Sequence, residues 1–276
     1  MTDKQEQLKS VLASLQSVIV AYSGGVDSTY LAVVAHEVLA ERALAVTGIS
    51  PSLAQREGEA AVAQAQALGL RHRLLDTHEM DNPLYMANNT NRCFFCKDEL
   101  YSLLTGLAEA EGFDFVADGF NADDRRDFRP GHRAGQKHNV RSPLFEVELT
   151  KAEIREYSRQ RGLPTADKPA LACLSSRFPY GTPIDLQAIA RIDAAEMFLH
   201  DLGFGQVRVR HHDKMARIEV DAHEIERLLA PEIRTAVHQR LRELGYLYVT
   251  LDLAGYRTGS MNEAVPHLPR PATTTA

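Results

Sequence analysis

A short loop rich in serine and glycine follows the first apolar run of the chain, at Ser23-Gly24-Gly25-Val26-Asp27-Ser28. The two glycines allow the backbone to turn sharply and to approach a ligand closely, because neither carries a Cβ. The two serines add hydroxyl donors, and Asp27 offers a carboxylate that could hold Mg²⁺ between phosphate oxygens. These residue types predict a site for pyrophosphate rather than an ordinary tight turn.

The elements on either side of the loop suit this chemistry. Residues 17–22 supply β-branched and aromatic side chains for a buried strand. After Ser28 apolar residues recur at helical spacing, so the loop ends at a helix N-terminus, where unpaired N–H groups and the helix dipole favour phosphate. Neither G-x-x-x-x-G-K-[ST] nor G-x-G-x-x-G follows the strand. The loop therefore lacks the lysine with which the better-known phosphate loop holds its ligand.

Predicted strands and helices alternate along the first part of the chain. Strands are predicted over residues 17–22, 43–49, 71–76 and 113–117, and the helices between and after them over residues 28–39, 57–68, 94–110 and 150–161. This alternation predicts an α/β fold with a doubly wound parallel sheet, in which ligands bind outside the carboxyl ends of the strands. Thr2 is the predicted N-cap of a further helix at the start, with Gln5 three residues on.

The pattern changes after residue 182. Three helices and three short strands predict a smaller α+β domain, with helices over 186–202, 222–229 and 231–244 and strands over 206–210, 216–220 and 246–253. We therefore expect one domain over residues 1–182 and a second over residues 183–264. Residues 265–276 are rich in proline and threonine and are predicted to be a disordered tail.

The composition limits the classes of protein and partner. The chain has 276 residues, of which 44% are hydrophobic and 25% charged, as is ordinary for a globular protein. Its net charge is −6, so it offers no global basic field and nucleic acid is not an expected partner. We expect a cytoplasmic location without a membrane, because no apolar secretory segment opens the chain and no apolar run approaches membrane-spanning length.

Aspartates gather after the fourth predicted strand, in the segment over residues 118–131. For any single aspartate, a charged and solvated turn is the simpler interpretation. Together, at the carboxyl end of a strand, they could bind Mg²⁺ and neutralise a pyrophosphate leaving group. The candidate magnesium ligands in this segment are Asp123, Asp124 and Asp127.

Both constellations resemble those of the ATP pyrophosphatases, the superfamily of NAD synthetase, GMP synthetase and tRNA thiolases. The S-G-G-x-D-S string resembles their pyrophosphate loop, and the aspartate segment resembles their D-G-x-N-x-D-D…D-x-R-P-G element in order and spacing. The resemblance implies that ATP is cleaved between its α- and β-phosphates and that AMP is placed on a substrate oxygen. It also implies the ATP-binding residues, which are Ser23, Gly24, Gly25, Asp27, Ser28, Asp118, Gly119 and Asn121.

A third constellation surrounds Cys173, in the segment A-C-L-S-S-R-F-P-Y-G over residues 172–181. A cysteine among alanine and leucine is usually a small buried hydrophobe. Here Lys168 and Arg177 are near in sequence, and nearby cations lower the pKa of a thiol. Together with the loop, this segment closely resembles the LarE family, the ATP-dependent sulfur transferases of nickel-pincer cofactor synthesis. The strings V-R-V-R, A-R-I-E and Y-V-T-L-D-L further along match as well, so the resemblance covers essentially the whole chain up to the tail.

The LarE resemblance implies that the carboxylates of pyridinium-3,5-biscarboxylic acid mononucleotide are adenylated and that sulfur then replaces the activated oxygen. The order is chemically reasonable, because a carboxylate is a poor electrophile and AMP turns its oxygen into a leaving group. The resemblance implies catalytic roles for Asp27, Ser28 and Cys173, and a homo-oligomer. The residues expected at the substrate are Ser176, Arg177, Arg208, Arg210 and Glu219.

The residue types support an anion site. Guanidinium groups match the oxygens of phosphate and carboxylate, and strand alternation in V-R-V-R puts Arg208 and Arg210 on one face. The alternative for these strand arginines is charge that simply faces solvent.

The family resemblance allows two sulfur sources. In one branch of the family a cysteine at the position of Cys173 gives up its own sulfur and becomes dehydroalanine. In the other branch, three cysteines hold a 4Fe-4S cluster whose open iron carries an extra sulfide. This chain has three cysteines, Cys93, Cys96 and Cys173, which favours the cluster and leaves the sacrificial cysteine as the second choice. The C-x-x-C spacing also permits zinc completed by a histidine or, less well, a thioredoxin-like dithiol.

Three other functions fit part of the pattern. An RNA thiolase would use the same loop and a three-cysteine cluster, but the sequence shows no basic surface or added RNA-binding module. A nucleotide-binding or iron–sulfur scaffold would have no need of Asp27 and Ser28. An amide-forming synthetase of the NAD-synthetase type would have no role for three cysteines.

Overall fold

The computed structural model describes residues 3–126 and 130–264. The described residues form two compact units, those within Met1–Tyr85 and Asn91–Leu171 and those within Met86–Thr90 and Ala172–Ala276. The candidate ligand Asp127 and the predicted tail lie outside the described residues. The predicted domain boundary at residue 182 stays a prediction.

A four-stranded parallel sheet with strand order β3-β2-β1-β4 forms the centre of the first unit. Its strands are β1 (Val18–Ala21), β2 (Ala43–Ile49), β3 (His72–Asp76) and β4 (Phe115–Ala117). The central strand β1 is buried along its whole length, as is usual for a parallel strand covered on both faces. The α/β fold with a parallel sheet is thus confirmed.

Helices cover both faces of this sheet because β1 sends apolar side chains in both directions. Val18 and Val20 lie in a core with residues of the helices over 4–15, 26–39 and 151–160, whereas Ile19 lies in a second core with residues of the helix over 92–111. The helices of this part of the chain are α1 (Lys4–Leu15), α2 (Val26–Leu39), α3 (Gln55–Ala67), α4 (Pro83–Met86), α5 (Arg92–Glu111), α6 (Pro130–Lys137), α7 (Pro143–Glu146) and α8 (Lys151–Gln160). Short 3₁₀ turns lie at Ala40–Arg42, Glu79–Asp81 and Ala122–Arg126.

The second unit contains a separate mixed sheet with strand order β5-β6-β7. Strands β5 (Val207–His212) and β6 (Met215–Val220) are antiparallel, and β7 (Tyr248–Leu251) is parallel to β6. Its helices are α9 (Leu186–Asp201), α10 (Ile225–Leu229) and α11 (Pro231–Glu243), with 3₁₀ turns at Leu174–Arg177, Ala222–Glu224 and Ser260–Ala264. Among the residues that the structure describes, no helix combines the length and the apolar character needed to cross a membrane.

The segment Met86–Thr90 belongs to the second unit although its neighbours in sequence belong to the first. Asn88 is fully buried, and its side-chain amide donates to the carbonyl oxygens of Pro179 and Thr182 at 2.8 and 2.9 Å. The amide of Ile184 donates to the carbonyl of Met86 at 2.8 Å. These bonds hold the segment Met86–Thr90, called the excursion below, within the second unit.

Helix α8 begins with a complete capping box. The Thr150 hydroxyl accepts from the backbone N–H of Glu153, and the Glu153 carboxylate accepts from the backbone N–H of Thr150 at 2.8 Å. The other predicted cap, Thr2 at the start of α1, is wrong. Asp3 caps α1 instead, accepting from the backbone N–H of Gln5 at 3.0 Å.

Thr150→Ala removes the hydroxyl that accepts from the first turn of α8. We expect the free energy of unfolding to fall by about 1 kcal/mol, as is typical when an N-cap threonine is lost. Urea denaturation followed by circular dichroism measures this change. The matched control is Thr235→Ala, an exposed threonine inside α11, which we expect to change stability by less than about 0.5 kcal/mol. Equal effects of the two variants would contradict the capping role.

Candidate active site

The loop between β1 and α2 has the backbone geometry that a phosphate site needs. Gly24 adopts φ +66°, and a Cβ added to it would lie 3.1 Å from the Cβ of Ala61 on α3. Both the conformation and the close approach exclude a larger residue there. Gly25 is the N-cap of α2 and provides no side-chain hydrogen bond to the first turn. The N–H groups of that turn can therefore bind an anion.

Two serines brace this loop from within. The Ser28 hydroxyl accepts from the backbone N–H of Ser23 at 3.2 Å, and the two hydroxyl oxygens are 3.1 Å apart. Ser28 is buried, whereas Ser23 is exposed. The contact between the two hydroxyls is long for a hydrogen bond of that kind, so a phosphate oxygen could replace it at little cost. The predicted loop residues thus lie together at the carboxyl end of β1.

The segment after β4 packs against the first turn of α2. A Cβ on Gly119 would lie 3.0 Å from the backbone nitrogen of Ser28, so any larger residue would crowd the first turn of α2. The Asn121 side-chain amide donates to Asp27 Oδ1 at 3.3 Å. The structure therefore brings together the two segments that resemble ATP pyrophosphatase elements, at the edge of the sheet where ligands bind in such folds.

Asp118 acts as an anchor for this segment. One of its carboxylate oxygens accepts from the Tyr101 hydroxyl, and the other accepts from the Ser142 hydroxyl, both at 2.7 Å. Burial and the adjacent carboxylate raise the pKa of Tyr101 well above its ordinary value, so the phenol stays a donor. With both oxygens bonded to protein, Asp118 is suited to hold the Gly119–Asn121 turn in place.

The predicted magnesium ligands occupy different positions. Asp123 accepts from the backbone N–H of Lys151 at 2.7 Å, and Asp124 accepts from the backbone N–H of Asn121 at 3.0 Å. Asp27 is the carboxylate that lies in the loop itself. Its oxygens and the Ser28 hydroxyl, together with phosphate oxygens of a ligand, are the kind of ligands that Mg²⁺ prefers. Over residues 3–126 and 130–264, the group of three ligand atoms close enough for one ion is instead Asp221, His223 and Glu224, in the second unit.

Two lysines contact the loop: sequence reasoning missed Lys151, and it named Lys168 only as a cation near Cys173. Lys151, the first residue of α8, forms an ion pair with Asp27. Lys168 donates to the carbonyl of Gly24 at 3.2 Å and pairs with Glu57 at 2.9 Å. A usable signal existed for Lys151, because it follows a predicted N-cap, and helices in such folds often begin at the ligand-binding edge of the sheet.

The cysteines are distributed between the two units. Cys93 and Cys96 lie in the first turns of α5, where Cys93 is exposed and Cys96 is partly buried. Residues three apart share a helix face, so the two thiols form a donor pair suited to iron or zinc. Cys173 is partly buried and precedes the turn Leu174–Arg177 of the second unit. A single centre with all three thiolates stays a prediction.

Arg177 is locked into the second unit by a buried carboxylate that sequence reasoning missed. Its guanidinium donates to both oxygens of Glu196, at 2.9 and 2.7 Å, and the two side chains are 3% and 6% exposed. Burial, the largest influence, lowers the pKa of Arg177, but the Glu196 carboxylate and the Cys173 thiol raise it, and the net direction is upward. The same guanidinium donates to the carbonyl of Cys173 at 3.1 Å, so it also shapes the cysteine segment.

Arg208 differs from the arginines beside it. Arg210 pairs with Glu219 at 2.7 Å, whereas no carboxylate among the described residues pairs with Arg208. Its side chain donates to the carbonyl of Val207 at 2.6 Å and lies 5.2 Å from the centre of the Tyr256 ring. Burial and then the charge of Arg177 lower the pKa of Arg208.

The remaining predicted substrate residue, Ser176, joins the arginines into one cluster. Its hydroxyl accepts from Arg177 at 3.0 Å, and its backbone carbonyl accepts from Arg210 at 3.2 Å. All five predicted substrate residues therefore lie together in the second unit. Among the described residues, no carboxylate pairs with Arg208, so its buried positive charge remains available. The cluster is therefore suited to bind an anion.

The parallel sheet, the glycine turn after β1 and the uncapped start of α2 fit the pyrophosphate-loop class of α/β proteins, which uses ATP. Residues 3–98 match the family model described as NAD synthase, in agreement with that class.

Full-length comparisons give the family. The chain is 36% identical over 266 residues to the pyridinium-3,5-bisthiocarboxylic acid mononucleotide synthase of Lactiplantibacillus plantarum, covering 96% of each chain. It is 46% identical over 265 residues to an uncharacterized protein of Synechocystis, covering 96% of this chain and 99% of that one. An uncharacterized protein of Methanocaldococcus jannaschii is 26% identical over 243 residues, 88% of this chain and 92% of its own. The chain belongs to the LarE family of sulfur transferases, and it is an enzyme.

Glu196→Gln tests whether the buried pair with Arg177 is structural. The variant leaves a buried guanidinium without its counter-charge, so we expect the free energy of unfolding to fall by about 3–5 kcal/mol. Glu146→Gln is the matched control, because the Arg141–Glu146 pair at 2.6 Å is 35% and 30% exposed. There we expect a loss of at most about 1 kcal/mol. Reversible urea unfolding gives both values, and similar small losses would show that the Arg177 pair does not hold the cluster together.

Proposed function

We propose that this enzyme converts the carboxylates of pyridinium-3,5-biscarboxylic acid mononucleotide into thiocarboxylates, at the expense of ATP. The observation that carries the proposal is the 36% identity to the Lactiplantibacillus plantarum synthase over 96% of both chains. The loop and the arginine cluster support it, because one suits a pyrophosphate and the other an anionic substrate. The product is a precursor of the nickel-pincer cofactor, and a homo-oligomer is part of the same proposal.

The first step is adenylation. A carboxylate oxygen of the substrate attacks the α-phosphorus of ATP, and the bond from that phosphorus to the bridging oxygen breaks, so its electron pair leaves with pyrophosphate. The N–H groups at the start of α2 and the hydroxyls of Ser23 and Ser28 bind the phosphate oxygens in this proposal. Asp27 would hold Mg²⁺, which would supply positive charge to neutralise the leaving group.

Substrate binding is assigned to the cluster in the second unit. Arg177 and Arg210 are already paired with Glu196 and Glu219. Their buried pairs would be costly to break, so they serve as a fixed frame. Arg208 has no competing carboxylate among the described residues and is the residue that we assign to a phosphate or carboxylate of the substrate.

The second step is sulfur transfer. A sulfur nucleophile attacks the acyl carbon of the adenylate, the carbon–oxygen bond to AMP breaks, and a thiocarboxylate results. We assign the thiol ligands of a 4Fe-4S cluster to Cys93, Cys96 and Cys173, and such a cluster would supply sulfide from its open iron when bound. The second choice is that Cys173 gives up its own sulfur.

Purified enzyme tests the reaction directly. With ATP, Mg²⁺ and the dicarboxylate mononucleotide, we expect AMP and pyrophosphate in amounts that depend on the substrate, and a thiocarboxylate product by mass spectrometry. Asp27→Asn should lower the rate by at least about tenfold, since it removes a charged metal ligand. Asp98→Asn, which alters an ion pair with Lys137, is the control and should retain the wild-type rate. Sulfur incorporation into tRNA but not into the mononucleotide would replace the proposal with an RNA thiolase.

Cysteine variants test the sulfur source. After anaerobic reconstitution with iron and sulfide, we expect a visible cluster absorption that is lost in Cys93→Ala, in Cys96→Ala and in Cys173→Ala, because each removes a thiolate ligand. Iron content and product yield are measured on the same samples. If Cys93→Ala and Cys96→Ala keep full activity and residue 173 becomes dehydroalanine during turnover, the sacrificial route replaces the cluster.

A further inference from the structure

One face of the sheet in the second unit carries basic side chains. Strand alternation puts Arg208, Arg210 and His212 of β5 on the same face. The register of the antiparallel pair places Arg217 of β6 opposite Arg210, so Arg217 lies on this face as well. The buried valines of β5 lie in the core on the other face. A ligand that binds to this sheet would therefore contact the basic face.

Two arginines on this face share one carboxylate. Arg210 and Arg217 donate to the two oxygens of Glu219, at 2.7 and 3.0 Å. A second carboxylate, Asp252, lies 3.7 Å from Arg217 Nε, which is too far for a hydrogen bond, and it also faces Arg257 at 3.8 Å. Like charges that lie opposite each other on neighbouring strands repel. The pair of guanidinium groups is therefore suited to accept a further anion.

Three nitrogen atoms of the same face are buried without a hydrogen-bond partner among the residues that the structure describes. They are Arg210 Nε, Arg217 Nε and His212 Nε2. Buried polar atoms in proteins nearly always have a partner, so these nitrogens are suited to donate to an acceptor that a ligand brings. The side chain of Arg217 is 31% exposed, so it can move to admit such a ligand while Arg210 keeps its bond to Glu219.

The imidazole of His212 reports the electrostatic potential at this place. Burial lowers its pKa most, the charges of Arg217 and Arg210 lower it further, and Glu219 opposes them with a smaller effect. The imidazole is therefore neutral at neutral pH, and in the tautomer with a proton on Nε2 it is a hydrogen-bond donor. The potential around it is positive, which favours a bound anion.

The basic side chains of β5 also give the substrate a direction. Arg208, at one end, is acted on by the charge of Arg177, whose guanidinium donates to the carbonyl of Cys173 at 3.1 Å. His212 is four residues further along the strand, which is about 14 Å of extended chain. The proposed sulfur transfer takes place at Cys173, so a carboxylate of the substrate belongs at the Arg208 end. The mononucleotide carries its phosphate on the ribose, away from the ring carboxylates, and the phosphate therefore belongs toward His212.

We propose that His212 and Arg217 form a phosphate subsite beside Arg210, which binds the phosphate of the mononucleotide while Arg208 binds one of its carboxylates. The inference rests on the proposed function, since it assumes this substrate. A phosphate group suits the subsite because its oxygens accept several hydrogen bonds at once and form strong charge-assisted bonds with a guanidinium group. Two residues outside the set expected from sequence thus join the site, and they fix which end of the substrate faces Cys173.

Isothermal titration with two probes tests the subsite, namely the dicarboxylate mononucleotide and the same nucleoside without its phosphate. We expect the wild type to bind the mononucleotide at least about tenfold more tightly than the nucleoside. In Arg217→Gln the Kd for the mononucleotide should rise at least about tenfold, which equals about 1.4 kcal/mol, while the Kd for the nucleoside stays unchanged. His212→Phe, which keeps a flat ring without a donor, should raise only the Kd for the mononucleotide, by about threefold to tenfold.

Two further variants sharpen the comparison. Arg208→Gln should weaken both probes by the same factor, because both carry the carboxylates that Arg208 is proposed to bind. Arg240→Gln is the matched control, since Arg240 is an arginine of α11 that is 43% exposed and pairs with Glu243 at 3.6 Å. This variant should bind both probes as the wild type does.

The outcomes separate the inference from the function on which it rests. If Arg217→Gln binds the mononucleotide as the wild type does, the inference is wrong. It is also wrong if Arg217→Gln weakens both probes alike, because Arg217 would then only hold Glu219 and the sheet in place. A wild type that binds the two probes equally well would show that the phosphate has no subsite. If the wild type binds neither probe, the proposed function fails first.

Discussion

The turn at Gly24 is the constraint on which the arrangement of the loop depends. Its backbone lies in the left-handed region at φ +66°, and a Cβ there would lie 3.1 Å from the Cβ of Ala61 on α3, so a side chain would be strained. This contact directs the chain from the end of β1 into α2, so that Gly25 becomes the N-cap and Asp27 falls in the first turn. Gly119 repeats the same close approach from the strand on the other side of β1. Two glycine contacts therefore align the two segments that meet at the loop.

Charged side chains in this protein fall into two kinds that differ by their access to water. The pairs of Arg177 with Glu196 and of Arg210 with Glu219 are buried, so separating either would leave an uncompensated charge in a poorly solvated place. They act as rigid structure. The pair of Lys151 with Asp27 is partly exposed and can exchange partners. The buried pairs thus lie in the proposed substrate cluster of the second unit, and the more exposed pair lies at the loop after β1.

Sequence reasoning predicted the parallel sheet well, because its strands are short buried runs bounded by glycine and polar residues. β2 was predicted with the bounds that the structure has, Ala43–Ile49. The loop after β1 was also predictable, since the turn needs glycine and the phosphate chemistry needs serine. The cap of α1 was misplaced by one residue, because threonine and aspartate are both good caps and only the backbone geometry selects between them.

Contacts between distant parts of the chain could not be predicted in the same way. Glu196 lies on the buried side of α9 and reads as an ordinary helical glutamate until the fold places Arg177 against it. Lys151 likewise lies 124 residues from Asp27 along the chain. Local propensity contains no information about such pairs, because their formation depends on how strands and helices are ordered in space. The expected grouping of Arg208 with Arg210 succeeded since it needed only the alternation within one strand.

The excursion Met86–Thr90 has a consequence for how the chain folds during its synthesis. Asn88 leaves the ribosome 91 and 94 residues before Pro179 and Thr182, whose carbonyl groups accept hydrogen bonds from its side chain. The second unit therefore cannot be separated by one cut before Ala172. That cut would remove Asn88, whose side chain bonds to Pro179 and Thr182. Exchange of this unit between proteins during evolution would therefore have to include the internal segment Met86–Thr90 as well.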